Sequence, residues 1–166
     1  MDNIQVIDSF LNPNDFEQIQ AALLRNPEFP WHYMDYKVLP LDGDQQFLHN
    51  FYLNFQPMSA YLDILGPVLT LLEPSAILRI KANLTTRTER RIVSDLHRDY
   101  ENFTGKTAIL YLTTCDGPTV FESSTEVASV ANRIVVFPAG IKHAATTTTD
   151  SPVRAVINFN YYEWTE

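Results

Sequence analysis

From residue 76 onward the chain is a succession of short β-rich runs, at about 76–82, 93–99, 106–113, 118–122, 126–130, 133–137, 143–148 and 153–161, with turn residues between them. Runs of this length and spacing point to an antiparallel sandwich or barrel. The first 75 residues have a different texture. Ile4-Gln5-Val6-Ile7 reads as a short strand. Asn12 suits an N-cap, Pro13 the first helical position, and Asp15 the positive end of a helix dipole. Phe16, Ile19 and Leu23 recur at helical spacing, which predicts an amphipathic helix over 13–25 ended by Asn26-Pro27. An extended aromatic segment at 29–33, a strand near 45–55 and a helical stretch at 57–73 broken at Gly66-Pro67 follow. The expectation is one domain over 1–166, mainly β with N-terminal helices. Residues 1–75 form strand-and-helix support, and 76–162 a core of antiparallel strands, with no linker or repeat.

Composition narrows the classes of function. Hydrophobic residues make up 45% and aromatics 12%, which fits an ordered globular chain. A formal charge of −8 argues against general affinity for nucleic acid, which needs many phosphate-neutralising cations. No apolar run approaches the roughly 18–20 residues of a membrane span. The start, Met1-Asp2-Asn3-Ile4-Gln5, lacks the basic residues and apolar block of a secretion signal, so a cytoplasmic location is expected. The single cysteine, Cys115, fits a reducing compartment and reads as a partly buried strand-end residue rather than a redox thiol. Basic residues are unevenly spread: Arg79, Lys81, Arg87, Arg90, Arg91 and Arg98 supply half of the 12 Lys+Arg. They form either a solvated loop or a basic rim around a cleft that concentrates anionic ligands. Oligomeric state is not written in this pattern.

One constellation carries chemistry. In His97-Arg98-Asp99, positions i and i+2 of an extended segment face the same way, so both side chains can grip one ion. The motif is weak alone. His143 lies some 44 residues after Asp99, just past a Pro138-Ala139-Gly140 turn, and Arg154 lies 11 residues beyond it. Two imidazoles and one carboxylate suit a divalent transition metal and leave coordination positions open. In Arg154-Ala155-Val156-Ile157-Asn158-Phe159-Asn160, one face is apolar and the other mixed. The mixed face is either solvent-exposed, as antiparallel sheets allow, or turned to a polar cavity where Arg154 could hold a carboxylate bidentately. Tyr111 reads equally as core or as a hydroxyl donor to that carboxylate. His32 and His49 lack an acidic neighbour at strand spacing and are assigned to packing or surface.

These residues, together with the strand Ile109-Leu110-Tyr111-Leu112-Thr113, the turn Asp116-Gly117-Pro118-Thr119 leading to Phe121, and Arg133-Ile134-Val135-Val136-Phe137-Pro138, resemble the 2-oxoglutarate/Fe(II) oxygenase superfamily in its prolyl-4-hydroxylase-like branch. The resemblance spans about residues 76–162. It implies a double-stranded β-helix, a cupin-like jelly roll. It makes His97, Asp99 and His143 the iron ligands and catalytic residues. Arg154 would be the anchor for the far carboxylate of 2-oxoglutarate, with Tyr111, Thr113 and Asn158 assisting. Dioxygen would be the oxidant and ascorbate a reductant. Relatives carry a mobile segment where residues 84–95 lie, which would give Arg87, Arg90 and Arg91 a substrate-facing role. The implied reaction is hydroxylation of a C–H bond, first of a prolyl residue in a protein or peptide, with succinate and CO2 released. A free amino acid or other small molecule is the alternative substrate; a cupin-like non-redox metal-binding protein is the alternative class. Two departures stand out: Pro118 replaces a usual Gly, and Arg154 lies about two residues further from His143 than in many prolyl hydroxylases. Nucleic-acid demethylases carry a second Arg at the position of Asn160, which argues against that substrate.

Overall fold

The computed structural model describes residues 3–38 and 44–164. The N-terminal part contains β1 (Gln5–Ile7), α1 (Pro13–Leu24), β2 (His32–Met34), β3 (Gln46–Leu53) and β4 (Gln56–Pro57), then a single 3-10 turn (Leu62–Leu65) and α2 (Gly66–Leu72). The remainder is β5 (Ala76–Thr86), β6 (Lys106–Tyr111), β7 (Cys115–Phe121), β8 (Glu126–Ser129), β9 (Ile134–Pro138), β10 (His143–Ala145) and β11 (Val153–Tyr162). Helix α1 begins as its sequence predicts: the Asn12 side chain accepts the Asp15 N–H at 3.0 Å, and Ile19 and Leu23 are buried. The helical stretch expected over 57–73 is shorter, because Pro57 is taken into β4 and helical turns start only at Leu62. The strand expected at 93–99 is reduced to two isolated bridges, Val93 with Thr146 and His97 with His143.

Two sheets result. The larger runs β1-β9-β6-β11-β5-β3-β2, with β4 appended to β3; the smaller runs β10-β7-β8, and every pairing is antiparallel. Strand alternation divides the larger sheet into two environments. Ile80, Ala82, Leu110, Ala155, Ile157 and Phe159 face one way and pack with Ile19, Leu23, Leu65 and Val68 from the helical layer. Ile109, Tyr111, Val135 and Val156 face the other way and pack with Phe121 and Val127 of the smaller sheet. The mixed face of β11 is therefore interior: Arg154, Val156, Asn158 and Asn160 are all buried. Cys115 is buried at the start of β7, and His49 is buried among Phe29, Phe51 and Tyr61. Among the described residues no helix is long and apolar enough to cross a membrane.

Asn132 joins the two halves of the chain. Its Oδ1 accepts the Leu11 N–H at 2.9 Å, its Nδ2 donates to the Leu11 carbonyl at 2.8 Å, and its backbone sits at φ 65°. Asn132→Ala should lose both bonds and strain the left-handed backbone, costing about 3 kcal/mol. Asn132→Gly, free of that strain, should cost about 1 kcal/mol less. Urea denaturation of the two variants checks both the loss and its order.

Candidate metal centre

The His97–His143 bridge builds the centre. His97 N–H donates to the His143 carbonyl and His143 N–H to the His97 carbonyl, both at 3.0 Å. Residues directly opposite in an antiparallel pair present side chains to the same face, and the two rings lie 4.9 Å apart between centroids. Asp99 follows two positions along. One ligand atom from each of His97, Asp99 and His143 lies within 4.8 Å of the others. The gap between His97 Nε2 and Asp99 Oδ1 is 4.0 Å, and two metal–ligand bonds of about 2.1 Å reach across it.

The electrostatics suit a metal site. His97 Nδ1 bonds the Asp95 carbonyl at 2.9 Å, which fixes the proton there and leaves Nε2 as the free lone pair. Burial pushes His143 below its ordinary pKa, with His97 and Arg79 adding to the shift and Asp99 and the Ile141 backbone opposing it. Its imidazole is thus biased toward the neutral form that can ligate. Burial works against ionisation of Asp99, but Arg79, His143, Asn160 and Lys81 outweigh it and hold the carboxyl well below the usual range. Arg79 Nη2 lies 2.9 Å from Asp99 Oδ1, an ion pair off the hydrogen-bond direction, while Asn160 Nδ2 donates to Oδ2 at 2.8 Å. Arg79 Nε in turn donates to Asn160 Oδ1 at 3.0 Å. A carboxylate kept ionised beside two imidazoles fits a hard-to-borderline divalent ion such as iron.

A cavity of about 610 Å³, counting its open mouth, runs from this centre to Arg154. Arg154 is buried, and its partners are neutral: Nε donates to the Gly117 carbonyl at 2.7 Å and to Ser129 Oγ at 3.2 Å, and Nη2 to Thr119 Oγ1 at 3.0 Å. Among the described residues no carboxylate pairs with it. A buried guanidinium without a counter-charge is costly, which marks the place for an anion. Gly117 makes room: a Cβ there would stand 2.6 Å from the Thr147 carbonyl and 2.9 Å from Arg154 Cδ. Orphaned buried oxygens of Thr85, Asn83 and Asn158 line the same cavity. The residues present fit both a metal and a dicarboxylate.

The other sequence-picked residues distribute unevenly. Asn158 lines the cavity. Tyr111 is fully buried behind it, and its hydroxyl donates to Thr119 Oγ1 at 2.7 Å, so it steadies the residue that steadies Arg154. Thr113 does not line the cavity; its Oγ1 accepts the Ala155 N–H at 3.1 Å. Arg87, Arg90 and Arg91 are exposed and also outside the lining. Residues 88–97 are fastened along the edge of the smaller sheet by Thr88 N–H to Thr148 O, Ser94 N–H to Ala145 O and Thr147 N–H to Ile92 O. Sequence reasoning missed Thr119 and Ser129, which hold Arg154, and the pairing of Arg79 and Asn160 on Asp99. The signal was present in β5. Arg79, Lys81, Asn83 and Thr85 alternate along it, opposite Asn160, Asn158, Val156 and Arg154.

No family model matches the sequence, and no curated protein matches it. Solved structures do. An oxidoreductase of the 2OG-Fe(II) oxygenase family from Burkholderia pseudomallei superposes with a TM-score of 0.70 at 13% identity, covering 96% of this chain and 84% of that one. A Pseudomonas putida prolyl-4-hydroxylase gives 0.68 at 13%, covering 98% and 94%. The epimerase SnoN, solved with Fe3+ and alpha ketoglutarate, gives 0.69 at 13%, covering 98% and 79%. At these identities the likeness is one of fold, and the fold is the double-stranded β-helix of the 2-oxoglutarate oxygenases.

Asp99 balances buried cations whether or not an ion is bound. Asp99→Ala should therefore destabilise the metal-free protein by about 3 kcal/mol, whereas His97→Ala, at a partly exposed ring, should cost under about 1 kcal/mol. The folded pKa of Asp99 is depressed from 3.8, so its contribution is complete above that pH and is lost as pH falls below it. Denaturation measured from pH 6 to about pH 3 should show a flatter decline in Asp99→Ala than in the wild type.

Proposed function

We propose that the protein is a single-domain Fe(II)- and 2-oxoglutarate-dependent dioxygenase that hydroxylates a C–H bond. The observation that carries this reading is one cavity with His97, Asp99 and His143 at one end and the uncompensated Arg154 guanidinium at the other. His97, Asp99 and His143 would hold the ferrous ion. Three protein ligands leave positions free for co-substrate and oxygen. The bound ion and 2-oxoglutarate supply the oxidising chemistry, with succinate and CO2 as products.

The chain's own part is placement. Arg154 presents its fork to the far carboxylate of 2-oxoglutarate, a charge-assisted contact stronger than a neutral one. Thr119, Ser129 and the Gly117 carbonyl fix the fork in advance, and Tyr111 fixes Thr119. Orientation is thus set before reaction, where it lowers the entropic part of the barrier. Val156 and Ile109 on the same wall limit water. Asn160 and Arg79 aim the Asp99 carboxylate as partners behind the ligands. A non-redox metal-binding role leaves Arg154 without a purpose.

A prolyl residue of a protein or peptide is the first substrate reading, supported by likeness in fold to the Pseudomonas putida prolyl-4-hydroxylase and to a viral collagen prolyl hydroxylase from Paramecium bursaria Chlorella virus-1. A small molecule is the second, favoured by the number of cations set into the cavity wall. Arg87, Arg90 and Arg91 would meet substrate only at the outer rim.

Purified protein given Fe(II), 2-oxoglutarate, ascorbate and candidate peptides or amino acids should convert 2-oxoglutarate to succinate and add one oxygen atom to the substrate, read by mass spectrometry. His97→Ala and Asp99→Ala should abolish succinate formation. Arg154→Ala should raise the 2-oxoglutarate requirement by about 100-fold, the worth of a charged contact of roughly 3 kcal/mol. Unchanged turnover in all three variants would refute the assignment.

A further inference from the structure

Lys81 lines the cavity and its charge helps keep Asp99 ionised, but no described side chain holds its ammonium. It projects from β5 on the inward-facing row Arg79, Lys81, Asn83, Thr85, opposite Asn158 of β11. Among the described residues it makes no hydrogen bond or ion pair, whereas the neighbouring cations are engaged. Arg79 pairs with Asp99, and Lys37 pairs with Asp44 at 2.7 Å. An ammonium in the wall of a cavity, without a partner, is an expense the fold bears for no packing gain.

Charge balance in the cavity points the same way. Of the charges in the cavity wall, Asp99 is neutralised by Arg79 behind it and Lys37 by Asp44, which leaves the positive charges of Lys81 and Arg154 over. A divalent ion makes that excess four, and the dianion 2-oxoglutarate returns it to two. A neutral substrate would leave the excess in place, in a site where low dielectric makes it costly. Position separates Lys81 from the co-substrate anchor. Its register partner is Asn158, while Arg154 pairs with Thr85, four residues and about 13 Å further along the strand. Lys81 lies instead at the metal end, two residues from Arg79, whose guanidinium touches Asp99.

We propose that Lys81 is the anchor for an anionic group, a carboxylate or a phosphate, carried by the substrate close to the C–H bond that reacts. The inference rests on the oxygenase reading and sharpens it. The substrate is a small acid, or a residue bearing its own free acid group, rather than a neutral residue within a chain. Lys81 is a specificity-determining residue in this account, and its ammonium fixes which end of the substrate enters first.

The test needs no turnover. Protein loaded with Co(II) and saturated with 2-oxoglutarate is titrated with acetate and, separately, methyl phosphate, each against chloride at matched ionic strength, using calorimetry and thermal shift. At least one anion should bind the wild type and raise its Tm; the arm that responds identifies the acid group. Lys81→Met should weaken that binding at least tenfold and leave 2-oxoglutarate affinity within about twofold. Lys81→Gln, which keeps a polar end, serves if the Met variant aggregates. Failure of both anions to bind the loaded wild type, or equal binding by the variant, overturns the proposal. So does a tenfold loss of 2-oxoglutarate affinity in Lys81→Met, which would move Lys81 to the co-substrate. If 2-oxoglutarate fails to bind while anion binding still depends on Lys81, the anion anchor stands and the oxygenase reading falls.

Discussion

A single buried carboxylate holds the functional end of this molecule together. Asp99 sits where β5, β6 and β11 each send a side chain: Arg79 at 2.9 Å, Asn160 at 2.8 Å, and Thr107 accepting from the same Asn160 nitrogen at 3.1 Å. These partners are consecutive in the sheet, with Arg79 opposite Asn160 and Asn160 opposite Thr107. The carboxylate is therefore oriented by strand register rather than by a flexible loop. An isolated buried cation or anion would be a liability; here each neutralises part of the other's cost. The arrangement keeps Asp99 ionised, which any metal ligand of this type must be.

The opposite end of the cavity solves a different problem. Among the described residues Arg154 has no acid to balance it, only two hydroxyls and a carbonyl that accept its hydrogen bonds. Such a cradle fixes the guanidinium's position without cancelling its charge. Gly117 and Ser129, contributed by the smaller sheet, and Arg154, from the larger, meet across the sandwich. The two sheets are thus coupled by the group that an incoming dicarboxylate would meet. Lys81, at the metal end of the same cavity, adds a further positive charge to the wall.

Much of this was legible in the chain. Apolar periodicity and the Asn12-Pro13 start found α1, and the strand spacing after residue 76 found the sandwich, because both depend on local patterning that few alternatives satisfy. His97 and Asp99 could be paired because alternate residues of an extended segment share a face, while His143 and Arg154 were singled out by the combined pattern and the family resemblance it carries. What escaped reading depended on which strands become neighbours. β5 and β11 are more than 60 residues apart in sequence yet lie side by side, so nothing local tells that the inward row of one completes the inward row of the other. The Thr/Arg-rich stretch 85–91 reads as a loop and 93–99 as a strand; the backbone bonds that tie Thr88, Ile92 and Ser94 to residues 145–148 leave little mark on composition. Thr113 lies off the cavity lining, where its Oγ1 accepts the N–H of Ala155 on the adjacent strand.

A crystal structure of the protein grown anaerobically with Mn(II) and 2-oxoglutarate tests the central claim most directly. The account predicts one ion bonded to His97, Asp99 and His143, with the dicarboxylate extending from it to the Arg154 guanidinium. An ion bound elsewhere, or 2-oxoglutarate absent from Arg154 at saturating concentration, would contradict it.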